Sequence, residues 1–222
     1  MNFLSHFYFD RHNTDSYHVT GTVLPDLLKN ADKTCNIHPE RFDRHEHPFV
    51  DSILDGWKRH LEVDRYFHNS GFFKHHSHEL KKALKPATEG SPVKPFFLGH
   101  IALELILDNL LITTNKISVD TFYNHLQHTK QEHLHSFLTY CRFSDPAVFF
   151  KFFTDFQKHR YLTTYADVTQ VAYALKRICM RVWSNPFTLT QEAMLTDVVL
   201  NYRVLLMPEF MSIFNDIESH LN

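Results

Sequence analysis

Glycine is scarce in this chain, with 5 in 222 residues against 21 phenylalanines and 18 histidines. Tight turns draw on glycine, so its shortage beside so many large apolar side chains points to helices joined by few sharp reversals. No segment shows the strict apolar/polar alternation of a half-buried strand. Cysteine is also sparse. Cys35, Cys141 and Cys179 are odd in number, far apart and without a Cys-x-x-Cys pair, which argues against a disulfide framework and a thiolate zinc site and fits a reducing, cytoplasmic compartment. Charge of one sign is missing too: 23 Lys and Arg stand against 25 Asp and Glu, a net −2, without the basic excess that nucleic-acid backbones demand. No nucleic-acid partner is expected. No uninterrupted apolar run reaches the ~18 residues of a membrane span. The opening MNFLSHFYFDRH lacks the basic start and apolar run of a signal peptide.

What is present reads as one domain over residues 1–222, an all-α helical bundle. Apolar periodicity predicts helices near 15–30, 41–68, 71–85, 95–114, 118–127, 129–141, 146–158, 165–183 and 188–219. Asp120 and Ser144-Asp145-Pro146 look like helix starts, because short polar side chains accept the free N–H groups of a first turn and Pro suits its first position. The clearest loop is Lys85–Pro95, with three prolines and a glycine. The segment Lys74–Lys82, rich in His and Lys, reads as a solvated helix face, with a contact site for an acidic partner as the sharper alternative. Phe149–Phe153 and Phe96-Phe97 read as core, with an apolar pocket wall as the alternative.

Four segments carry polar residues in apolar surroundings. In Gly99–Leu111, GHIALELILDNLL, the residues His100, Glu104 and Asp108 recur every four positions among Ile and Leu. Such residues lie on one side of a helix, drifting by about 40° per step. A carboxylate taken out of water needs a proton, a cation or a metal ion. A narrow solvent-facing edge, or pairing with Arg and Lys of neighbouring helices, would serve as well. Gly56–His68 repeats the spacing with His60, Asp64 and His68. An imidazole and a carboxylate one turn apart can address one cation, although an intrahelical pair accounts for the same spacing. His6, among aromatic residues, and Asp26, after Pro25, are unremarkable taken singly.

Together and in this order, the four segments resemble the acyl carrier protein phosphodiesterase family, an all-helical branch related to the HD-domain phosphohydrolases. Met1–His6 is similar to its Met-Asn-Phe-Leu-Ala-His start. Gly21, Asp26 and Lys29 match its Gly-Asn-x-x-x-Asp-Phe-x-[Lys/Arg] segment. Gly56, His60 and Asp64 match Gly-x-x-x-His-Arg-x-Ile-Asp, and Glu104 and Asp108 occupy the acidic places of Asp-x-x-x-Asp-His-Phe-Leu. Weaker similarity extends to Tyr165, Leu175 and Arg181.

The resemblance implies an HD-domain-like fold and hydrolysis of a phosphodiester, in the namesake reaction the 4′-phosphopantetheine arm of holo acyl carrier protein. It implies a divalent metal, Mn²⁺ first or Mg²⁺, held by His6, Asp26, His60, Asp64, Glu104 and Asp108, and the imidazole and carboxylate donors themselves leave Fe²⁺ or Zn²⁺ as alternatives. Lys29, Arg59 and Arg181 become candidates for steadying the phosphate, and Asp64 a candidate catalytic residue. The chain departs from the pattern where Leu61 replaces the Arg after His60 and Asn109 replaces a His after Asp108. His68 and His100 are additional and are candidates for the missing acid or base. Two further expectations stay open beside this one: a phosphohydrolase acting on a nucleotide or another small phosphodiester, and a non-catalytic helical binding module.

Overall fold

A computed structural model describes residues 1–221, and among them it contains no strand. The chain is all-α. Its helices are α1 (Phe3–Phe9), α2 (Ser16–Ala31), α3 (Pro48–Asn69), α4 (Gly71–Leu84), α5 (Pro95–Thr113), α6 (Val119–His128), α7 (Gln131–Tyr140), α8 (Pro146–His159), α9 (Val168–Met180), α10 (Leu189–Leu206) and α11 (Met211–Leu221).

Where the helices depart from periodicity, local chemistry gives the reason. α1 is only seven residues long and apolar on every side but one, so no 3.6-residue pattern develops. α3 starts at Pro48, later than expected, because a proline disfavours helical backbone in the residue before it. The predicted 188–219 helix is two helices, parted at 207–210 by Pro208, which has no N–H to donate. Tyr161–Ala166 is a 3₁₀ turn, and α9 begins only at Val168. Asp145 caps α8 as expected, accepting from Val148 N at 3.2 Å, with Pro146 in the first turn. Asp120 is not a cap: Ser118 takes that place, and Asp120 instead pairs with Arg160 at 2.6 Å.

The chain divides into two compact units, Met1–Arg65 with Ile117–Leu162 and Tyr66–Lys116 with Thr163–Asn222. In the first, α2 lies against α1, α6 and α8. Val19, Val23, Leu24, Leu27 and Leu28 of α2 are fully buried, and Phe3 and Phe7 of α1 meet Phe156 and Phe122 at ring separations of 5.2 and 5.4 Å. Phe149 and Phe153 are buried core residues. In the second unit, α5 lies against α4, α9 and α10. By length and composition α5 is apolar enough to cross a bilayer, with a mean hydropathy of 1.6, yet 61% of that stretch is buried inside the protein. Among the described residues it is the one such helix. All three cysteines are buried and free.

Candidate metal centre

In the first unit, α2 and α3 cross with almost no side chain between them. A Cβ on Gly21 would fall 2.3 Å from the Ile53 carbonyl oxygen, and one on Gly56 would fall 2.1 Å from that of His18. Only glycine allows this approach. One turn beyond Gly56, the ring of His60 therefore reaches the backbone of α2, where its Nδ1 donates to the Thr22 carbonyl at 2.9 Å. A carbonyl can only accept, so the Nδ1 carries the proton and Nε2 keeps its lone pair. This arrangement orients many metal-binding imidazoles.

His6 of α1 stacks on that ring, with centroids 3.9 Å apart and planes inclined by 19°. Donor atoms of His6, Asp26 and His60 lie within 4.8 Å of one another. Asp64 joins them: its Oδ1 is 3.3 Å from His6 Nε2 and 2.5 Å from the Met1 ammonium, and its Oδ2 is 3.7 Å from His60 Nε2. Two imidazoles and the Asp26 carboxylate thus converge from three helices, and the Asp64 carboxylate borders both imidazoles. Burial opposes charge on Asp64, but His6, the ammonium group and His60 outweigh it and hold the carboxyl far below its ordinary range. Burial, with His6 and the ammonium group, drives the His60 imidazolium well below the ordinary histidine value, so its neutral form prevails.

Sequence reasoning missed the support behind this centre. Asp10 is buried, accepts from Thr22 Oγ1 at 2.9 Å, and lies 3.3 Å from His18 Nε2. Burial would raise its pKa, yet the interactions with His18 and Thr22 hold it below the usual range. The signal was available, because His18, Thr22 and Asp26 repeat along α2 at the four-residue spacing that singled out α3 and α5.

The remaining candidates are placed as follows. Lys29, one turn after Asp26, donates to the Cys35 carbonyl. Arg59 is half-buried and 3.8 Å from Glu62. In the second unit, Arg181 follows the end of α9, and Asp108 is fully buried on α5. His68, His100 and Glu104 come together there, with donor atoms within 4.8 Å of one another. No protein-family model, curated protein or solved structure matches the chain.

Asn109 is neither exposed nor idle. Its amide Nδ2 donates to the Tyr165 carbonyl at 2.6 Å, and its Oδ1 accepts from Arg203 Nε at 2.7 Å. Both ends of the amide tie α5 to other parts of the second unit, a bracing contact and not an acid–base one.

Proposed function

We propose that this chain is a metal-dependent phosphodiesterase whose divalent ion is held by His6, Asp26, His60 and Asp64. The observation that carries the reading is the convergence of His6, Asp26 and His60 donor atoms, with Asp64 beside both imidazoles and the His60 tautomer set by the Thr22 carbonyl. Mixed imidazole and carboxylate donors without thiolate suit Mn²⁺, Fe²⁺ or Zn²⁺. Such an ion supplies a hydrolytic nucleophile from water at neutral pH and draws charge from phosphoryl oxygens. The protein's part is to fix the donors: the Gly21–Gly56 contact sets the helix spacing, and the Asp10–His18–Thr22 network holds the α2 side of the site. The substrate is a phosphodiester, with the phosphopantetheine arm of acyl carrier protein as the specific expectation from the resemblance.

Protein purified without a histidine tag is expected to carry divalent metal and to hydrolyse bis(p-nitrophenyl) phosphate with added Mn²⁺. Asp64→Ala and His60→Ala should each lower that activity at least a hundredfold, on the order of 3 kcal/mol of transition-state stabilisation. A protein that binds no metal and stays inactive with Mn²⁺ would refute the reading. Release of apo carrier protein in a substrate panel supports the carrier-protein assignment, and turnover of nucleotides alone replaces it.

A further inference from the structure

In the second unit, His68 at the end of α3 meets His100 and Glu104, which lie one turn apart on α5. The two Nε2 atoms are 3.3 Å apart, and Glu104 Oε1 is 2.9 Å from that of His100 and 3.6 Å from that of His68. Donors bound about 2.1 Å from one ion lie roughly 3.0 Å apart at right angles and roughly 3.4 Å apart at tetrahedral angles. The observed triangle has nearly that size. A single proton between these atoms serves two of the three, whereas a cation serves all of them at once.

The triangle is also held in place. Phe73 stands edge-on to both imidazoles, 4.9 Å from each ring centre. Immediately before His100, Gly99 brings α5 onto α4 so closely that a Cβ would fall 2.8 Å from the Ser77 carbonyl and from Lys81 N. The side chains are partly open, with 32% of His68, 41% of His100 and 14% of Glu104 exposed. Three protein ligands leave coordination positions for a further group. His100 forms one wall of a groove of about 320 Å³, whose other walls include Phe73, Lys74, His78, Lys81 and Phe96. Its two lysines favour an anion.

We propose that His68, His100 and Glu104 form a second divalent transition-metal site, where an anionic oxygen ligand from the adjoining groove completes the coordination. Two imidazoles and one carboxylate favour Zn²⁺, Co²⁺, Ni²⁺, Fe²⁺ or Mn²⁺ over Ca²⁺ and Mg²⁺. The groove gives the His- and Lys-rich face of α4 a ligand-binding role that a merely solvated face lacks.

The test is titration of the metal-stripped full-length protein with Co²⁺, followed by visible absorption and by metal analysis after gel filtration. Wild type is expected to retain two equivalents, His60→Ala one, and His60→Ala/His100→Ala none. His68→Ala provides a second, independent removal of a ligand, and circular dichroism checks the fold of each variant. Retention by wild type of one equivalent that His60→Ala abolishes and His100→Ala and His68→Ala leave intact would overturn this proposal while sparing the first centre. One equivalent lost in His100→Ala but kept in His60→Ala would do the reverse. Inorganic phosphate should shift the Co²⁺ spectrum of His60→Ala, several-fold less effectively when Lys81→Ala is added; no shift at saturating phosphate overturns the anionic-ligand half.

Discussion

Asn109 stands where the resembling family carries a histidine, and the sequence alone makes it a loss. In the structure both ends of its amide are bonded, to Tyr165 and Arg203, 56 and 94 positions away along the chain. Asn109→Ala should destabilise the protein by about 1–3 kcal/mol, since a buried carbonyl and a guanidinium lose their partner. For a chain of this length that corresponds to a melting midpoint lower by roughly 2–4 °C per kcal/mol, readable by differential scanning fluorimetry. An unchanged midpoint would contradict the bracing role. Partners so remote in sequence leave no local trace, so this function of Asn109 was not legible. His60 and Asp64 were legible from spacing within one helix. His6 and Asp26 were not, because each takes its meaning from donors on other helices, and only the motif comparison pointed to them.

At the level of elements, periodicity and end signals gave most helices to within a few residues. They failed where length or backbone chemistry overrode the pattern, in α1 and at Pro208. Gly21 and Gly56 entered the sequence reading as motif positions, and the structure supplies their physical reason. Gly56→Ala should cost about 1–3 kcal/mol, because the new methyl group meets backbone that cannot turn aside. It should also weaken metal retention by prying His60 from Thr22. Gly71→Ala is the matched control: nothing lies within 4 Å of its added Cβ, and the helical position gains by a few tenths to about 1 kcal/mol. Thermal melts of the two variants should therefore move in opposite directions, and parallel shifts would undo the argument from close helix approach.

At the level of the whole molecule, acid should destabilise the protein before its carboxylates titrate. His76 is buried against Tyr202, whose hydroxyl is 2.9 Å away. Burial and His75 push its pKa below the ordinary value despite Glu79 and Glu209. His125, bonded to Ser16 at 3.0 Å, is likewise lowered by burial and His128 against the pull of Asp15. For both, the unfolded chain binds more protons than the folded one below about pH 6.5, so their stabilising contribution is present above that pH and fades as pH falls. With a chelator present to remove metal linkage, the melting midpoint should drop between pH 7.5 and 5.5, then fall further below pH 4 as Asp10 loses its charge. A midpoint that is flat or rises over the upper range would refute this.

Each unit is assembled from two separate stretches, so the chain passes between units at 65–66, 116–117 and 162–163. For a ribosome emitting residues in order, α1, α2 and most of α3 emerge well before α6 and α8, which complete their core. The half-made first unit must wait with its apolar faces uncovered while residues 66–116 are translated, a long loop closure of the kind that slows folding and invites aggregation. Synthesis rate and chaperone supply, more than equilibrium stability, should then govern how much soluble protein a cell accumulates.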